Sequence, residues 1–460
     1  METRIIGSEN FLAGSASNNY GVDGGFSPDL KGHNINYFNG VIAPTDTPTT
    51  VATIIGTDVL SMFSGDGIYS LACSINASLD IDIFRYQASS LSSVGSDSTH
   101  DYSTIFSDIG YLDGYYYISS LTDIFLISGV GGEDDPNWWD TTRGKSTLYD
   151  YCSHHFARLG NYLFFSNGKY LNRITNNSTV DEFFLSIDGG ALDDLEITTI
   201  CEHNDLIYIA SQNDSNAAKS GNGGNYLIGW DGNADGLLSF KQPAPAKITA
   251  IVSYNGRLMC FTEKMLYEYN GSQFIPLRHL NGVVNKNQVK VALGNLYFIG
   301  GNDTTSANNS KFIQCYNGSS FSYLIEESAT IQSIGFCFGD DLAYGTAQTL
   351  KVIDINDRVG NGKVATLPID FISNVHVRKV IVELAENMGS GNVNTFKVYN
   401  QTGTLMTTLT MSYATDGAIA AKEFKDINFQ ANSIVIKADT FNNLIRRITV
   451  FYDGTSNLPL

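Results

Sequence analysis

Apolar residues fall into short runs separated by turns of Gly, Asn and Asp, and one phrase keeps returning. It reads Asp113-Gly114-Tyr115-Tyr116-Tyr117-Ile118, then Gly160-Asn161-Tyr162-Leu163-Phe164-Phe165, then Asn204-Asp205-Leu206-Ile207-Tyr208-Ile209. It continues as Asn255-Gly256-Arg257-Leu258-Met259-Cys260-Phe261, as Gly294-Asn295-Leu296-Tyr297-Phe298-Ile299 and, more weakly, as Gly339-Asp340-Asp341-Leu342-Ala343-Tyr344. A fainter copy, Gly56-Thr57-Asp58-Val59-Leu60, opens the series. The starts at 56, 113, 160, 204, 255, 294 and 339 are 57, 47, 44, 51, 39 and 45 residues apart. Aromatic runs of this length bounded by turn residues read as strands, and no long stretch carries a 3.6-residue period. Units of strands and turns about 40–50 residues long have the repeat length of β-propeller blades. The pattern therefore predicts an all-β chain with a six- or seven-bladed β-propeller over 51–362.

A second match falls in phase with the first. Tyr269-Asn270-Gly271-Ser272-Gln273-Phe274 parallels Tyr316-Asn317-Gly318-Ser319-Ser320-Phe321. The Tyr should end one strand and the Phe begin the next, with Asn-Gly supplying the positive φ of a tight turn. Residues 1–50 lack this rhythm and read as an extended arm, with a hairpin around Asn39-Gly40 and a candidate strand to complete the last blade. After about residue 362 the phrase disappears. Runs at 377–384, 395–399, 405–411, 433–437 and 444–452 predict a C-terminal β-sandwich over 363–460. Its strands carry Arg378, Lys379, Lys397, Lys422, Lys425, Lys437, Arg446 and Arg447, which suggests either a positive docking face or ordinary solvated outer faces.

Composition narrows the function classes. The 460 residues are 43% hydrophobic and only 16% charged, as in a packed globular protein. The formal net charge is −19, which argues against tight binding to a phosphate backbone, although an acidic wall would let DNA slide past. No leader and no membrane-spanning run are expected. Six separate cysteines without a CxxC pair read as small buried thiols of a reducing compartment, not as zinc ligands.

Three segments carry candidate chemistry. Asp231-Gly232-Asn233-Ala234-Asp235-Gly236 matches the first half of a calcium loop, with Asp231, Asn233 and Asp235 as oxygen ligands, but Gln242 stands where a bidentate Glu is usual. A polar loop between blades explains the same residues. Cys152-Ser153-His154-His155-Phe156 holds the only adjacent histidines; on a strand one would face inward and one outward, and no spacing supplies a catalytic partner. Trp138, Trp139 and Asp140 close the most unusual loop, either as an exposed contact for sugar or protein or as a Trp pair folded back to cap a blade. Ser64-Gly65-Asp66-Gly67 approaches a sialidase box but lacks its Trp and its repetition. No phosphate-binding loop, metalloprotease motif or nucleophile elbow is present.

The chain resembles the β-propeller tail-hub or nozzle proteins of short-tailed bacteriophages. The residues that carry the resemblance are Gly25-Phe26-Ser27-Pro28-Asp29 with Asn36 and Gly40 before the first blade. To these add Leu293-Gly294-Asn295-Leu296-Tyr297-Phe298, Tyr269-Asn270-Gly271-Ser272-Gln273-Phe274 and the closing Phe451-Tyr452-Asp453-Gly454. The resemblance implies a non-enzymatic virion protein without a cofactor, assembled in the host cytoplasm. It implies a ring, commonly six-fold, around the DNA channel, with portal, adaptor or other tail proteins as neighbours and genomic DNA only passing through. The alternative is an adhesion propeller that binds glycan or a receptor through Trp138 and Trp139, or, further off, a glycan-cleaving enzyme, which would need two carboxylates set across a cleft.

Overall fold

In the computed structural model, strands follow the turn rhythm. The described residues are 2–6, 35–38, 41–44, 48–53, 58–64, 70–75, 81–87, 90–97, 107–120, 123–128, 138–139, 148–149, 152–187, 195–213, 224–233, 238–280, 282–301, 310–319, 321–336, 341–346, 349–354, 362–365, 369–425 and 427–454. The chain divides into two units, Thr49–Lys311 with Ser328–Val352, and Met1–Pro48 with Phe312–Glu327 and Ile353–Leu460.

Among the described residues, seven small antiparallel sheets follow one another along 58–353. Their first strands are Asp58–Ser64, Asp108–Leu112, Phe156–Leu159, Leu195–His203, Ile248–Tyr254, Val289–Ala292 and Ile331–Phe336. The second sheet has three described strands and the others four, ordered as in the sequence. The seventh takes its outermost strand from before the first sheet: Thr49–Thr53 pairs with Thr349–Ile353, Thr53 opposite Thr349 and Ala52 opposite Leu350. Each first strand lies against the first strand of the next sheet, and that of the seventh against that of the first. This closed cycle is a β-propeller, in which radial repetition leaves only short, protected sheet edges. Apolar side chains fill the gaps between sheets, for example Phe164, Leu171, Ile197, Ile207 and Trp230 between the third and fourth.

The recurring phrase marks the turn from first to second strand. Leu112 pairs with Tyr115, Leu159 with Tyr162, His203 with Leu206, Tyr254 with Arg257 and Ala292 with Asn295, so each turn has two residues. At four of them both turn residues have positive φ: Asp113 and Gly114, Asn204 and Asp205, Asn255 and Gly256, Leu293 and Gly294. Such turns match the right-handed twist of the flanking strands. At the third sheet only Gly160 is positive. The faint copy at 56–60 is out of phase, because Asp58–Ser64 is itself the first strand of its sheet. The equivalent turn lies between Ser64 and Ser70, outside the described residues, and this explains the overlong first spacing.

The Tyr-Asn-Gly-Ser phrase forms the same outer turn twice. Tyr269 pairs with Phe274 and Tyr316 with Phe321. Tyr269 Oη donates to Gly271 O at 2.9 Å, and Tyr316 Oη to Gly318 O at 2.9 Å. Asn270 Oδ1 accepts from Ser272 N, and Asn317 Oδ1 from Ser319 N, at 3.1 and 3.0 Å.

The second unit holds a ten-stranded sheet folded over one apolar core. Its long strand Ile369–Leu384 pairs with Phe429–Phe441 at one end and with Ala421–Phe424 towards the other. A register shift between Val377 and Lys379 changes the parity of its inward row, from Val375 and Val377 to Val380, Val382 and Leu384. The amino-terminal segment also supplies strands to this sheet. Glu2–Ile6 pairs with Ile445–Gly454, and Ile35–Phe38 forms a hairpin with Val41–Pro44.

Five of the eight basic residues, read from sequence as either a docking face or solvated outer faces, are paired with acids. Arg447 makes a two-pronged contact with Glu383 at 2.6 and 2.7 Å, Arg378 meets Asp453 at 3.0 Å, and Lys379 and Lys425 share Glu423. Lys422 meets Asp416 at 2.8 Å. Hydrogen bonds from Arg447, Lys422, Lys379 and Arg378 hold the carboxyls of Glu383, Asp416, Glu423 and Asp453 below the usual range.

Leu293 is exposed and has φ of 50°, where a branched side chain is strained. Replacing Leu293 by Asn is expected to raise the stability of the propeller by about 1 kcal/mol, read by chemical denaturation. No change, or a loss, would show that the turn is not strained there.

Candidate functional site

The centre of the ring holds a cluster of buried ionisable groups. Asp108 opens the first strand of the second sheet and is 5% exposed. His154 and His155 immediately precede the first strand of the third, and Lys286 and Lys290 lie at the start of the sixth. The turn Lys286–Gln288 touches the first strands of the first, fifth and seventh sheets. It is fixed by reciprocal bonds: Asn285 N donates to Gln288 Oε1 at 3.0 Å and Gln288 N to Asn285 O at 2.9 Å. From there the Lys286 side chain reaches the second and third sheets, where its Nζ meets Asp108 Oδ2 at 2.7 Å and donates to Phe156 O.

Both oxygens of Asp108 are used. Oδ1 accepts from Ile109 N at 2.9 Å, and Oδ2 accepts from Phe156 N at 2.8 Å as well as from Lys286. Burial pulls this carboxyl upward, but Lys286 and Lys290 outweigh burial and hold it below the ordinary range. Lys290 is half-buried at its surface, yet the protein packed around its amino group lowers its affinity for a proton; Asp108 opposes that shift and Lys286 adds to it. Burial and the Lys286 charge push His155 down to about 3, so its ring is neutral near pH 7. His155 Nδ1 lies 3.9 Å from Asp108 Oδ2 and makes no hydrogen bond.

His154 is also fully buried, so the expectation of one inward and one outward histidine is corrected. The pair is an irregular lead-in to a strand, where the alternation of faces does not apply. His154 Nδ1 donates to Ser166 O at 2.7 Å, Ser119 Oγ donates to His154 O at 2.6 Å, and Ser166 Oγ accepts from His155 N at 2.9 Å. The Ser119 bond ties the second sheet to the third, and the Ser166 bonds fix the lead-in against its own sheet. With its acid, lysine and hydroxyls engaged by neighbours, the cluster pins sheets to one another.

The sites expected from sequence lie elsewhere. Trp138 and Trp139 are 5% and 2% exposed, which removes the exposed platform expected of them. They pack with Tyr117, Phe156 and Phe165 between the second and third sheets. Trp138 Nε1 donates to Asn177 O at 2.6 Å, and Trp139 N to Ile124 O at 3.1 Å. A large ring whose one polar atom finds a carbonyl is more stable in the core than in water. Asp140 lies outside the described residues. In the calcium-like loop Asp231 Oδ1 accepts from Asn233 N at 2.9 Å, an Asx turn, and Asn233 O accepts from Trp230 Nε1 at 3.2 Å; Asp235 is outside the described residues. Gln242 is turned to the fifth sheet, donating to Ser272 O and accepting from Tyr269 Oη, each at 2.6 Å. Cys73, Cys152, Cys201, Cys260 and Cys315 are thiols outside any disulfide, and Cys337 is not among the described residues.

Sequence reasoning missed Asp108, Lys286 and Lys290. The available signals were an Asp at the head of an apolar strand and a Lys between Val289 and Val291. Neither residue type favours a strand interior.

No family model matches the chain, and no curated protein matches its sequence. Solved structures to which it is similar include a streptogramin B lyase, at 13% identity over 67% of this chain and 98% of that one, with a TM-score of 0.49. They also include the WD40 β-propeller domain of Doa1, at 10% identity over 67% and 97%, with a TM-score of 0.46. The extracellular domain of a hybrid two-component system of B. thetaiotaomicron is 13% identical, with a TM-score of 0.47; the match spans 77% of this chain and 44% of that one. The propeller assignment rests on the closed cycle of sheets.

Between pH 6.5 and 3 an unfolded chain protonates His155 while the folded ring does not, so this residue's contribution to stability falls as pH falls. A His155→Gln variant is expected to lose less stability than the parent between pH 7 and pH 5, by about 2 kcal/mol, in urea titrations. Parallel pH profiles would contradict a buried neutral imidazole.

Proposed function

We propose that this chain is a non-enzymatic structural protein of a bacteriophage tail, a nozzle or hub component that forms a ring of six copies around the DNA channel. The observation that carries this reading is the use of the axial groups. The centre of a propeller is a natural place for a small-ligand site, and here Asp108 and Lys286 bond to neighbouring sheets and Ser119 bonds to the His154 carbonyl. A disc pinned at its centre is a rigid building block whose outer surface is left for assembly.

Charge supports the same reading. The chain has 47 acidic and 28 basic residues, and cross-strand ion pairs consume several of the bases. A wall of this sign repels phosphate and lets DNA move along it. Portal, adaptor or other tail proteins would be the neighbours, and the tail of the virion the location. The glycan-binding alternative loses its platform with the burial of Trp138 and Trp139.

Native mass spectrometry and electron microscopy of the purified protein, with immunogold labelling of virions, test the proposal. A closed ring and label at the tail are expected. A monomer at every concentration, absent from virions, would overturn it.

A further inference from the structure

Among the described strands, the ten-stranded sheet of the second unit ends in an edge without a further neighbour. Strand Leu405–Ser412 has one neighbour among the described strands, Val393–Asn400. Natural sheets protect such edges with charge, Pro or bulges, because unpaired backbone N–H and C=O groups recruit another strand. This strand reads Leu405-Met406-Thr407-Thr408-Leu409-Thr410-Met411-Ser412, with no charged residue, Pro or Gly. Lys422 Nζ covers one carbonyl, that of Thr410, at 2.8 Å. Along the rest of the edge runs a groove of about 530 Å³, bounded by Met406–Leu409 on one side and Glu423–Phe429 on the other. Its two ionic side chains pair with each other, Lys425 Nζ to Glu423 Oε2 at 3.4 Å, so the walls carry no net charge.

We infer that this edge pairs with the same strand of a second copy of the chain, antiparallel about Thr408, forming a two-fold contact. Two arguments select that occupant. Copies of net charge −19 repel, so they meet most readily where both surfaces are neutral. The strand is also complementary to itself. Centred on Thr408, Thr407 faces Leu409 on the row that reaches the core at Leu409 and Met411, clear of the bulge that turns Leu405 to the other face. Leu405, at the end of the same edge, is the most exposed large apolar side chain among the described residues, at 48%. Such a contact is isologous, the same patch on both partners. It is independent of the tail-ring reading, since a cyclic ring uses head-to-tail contacts.

Thr408→Glu separates the two. Thr408 is exposed and lies opposite Lys397 within the sheet, so Glu at this position gains an internal partner. Across the two-fold axis it would face its own copy. Sedimentation velocity and light scattering at rising concentration are expected to show pairing of the parent, strengthened by salt, which screens the net repulsion. Thr408→Glu should weaken that association at least ten-fold at unchanged melting temperature, and Thr408→Val should retain it. Pairing that survives Thr408→Glu, or a parent that shows only monomers or only odd-numbered rings, would overturn the inference. Even rings that form equally well in Thr408→Glu would also overturn it, while leaving the ring proposal standing.

Discussion

One buried carboxylate ties the propeller together. Asp108 accepts hydrogen bonds from its own strand at Ile109, from the third sheet at Phe156 and from Lys286 at the sixth. A carboxylate in that position would be costly alone, and it is tolerated because its oxygens are occupied and a cation touches it. The lysine is equally dependent on the acid. Its turn leads into the sixth sheet, is held by Asn285 and Gln288 and rests on three further first strands, so six of the seven described sheets meet at this one contact. The pair adds direction to a ring otherwise held by non-directional apolar packing between blades.

Closure acts at the rim as the ion pair acts at the centre. Thr49–Thr53 completes the sheet whose other strands come from the far end of the repeats, so the ring opens only if that pairing breaks. The cost of bringing such distant segments together is a loop-closure entropy that grows slowly with length.

The fold was legible because its local rules are strict. A two-residue turn with positive φ demands residues such as Asn-Gly at 255–256, and the strands on either side must be apolar where sheets pack. The Tyr and Phe that bracket Asn270-Gly271 and Asn317-Gly318 sat where the phrase put them. Phase was harder to read, since a faint copy at 56 precedes its strand instead of following it. Site chemistry was barely legible. Trp138 and Trp139 follow three acids and a Pro, which suggests a loop tip, and nothing local reveals that Asn177 O receives the indole. Asp108 and Lys286 are brought together only by ring closure, so no window of sequence contains the pair. Bulges had the same effect: the parity change beyond Val377 depends on the partner strand.

The central claim is that Asp108 and Lys286 act as one unit. A double-mutant cycle of Asp108→Asn and Lys286→Met, followed by urea unfolding at pH 7, measures this directly. Either single change leaves a buried partner exposed to the cost of isolation, about 3–5 kcal/mol. The double variant is expected to be more stable than the sum of the singles predicts, by about 1–3 kcal/mol. Strictly additive losses, or single variants as stable as the parent, would contradict a propeller pinned at its axis.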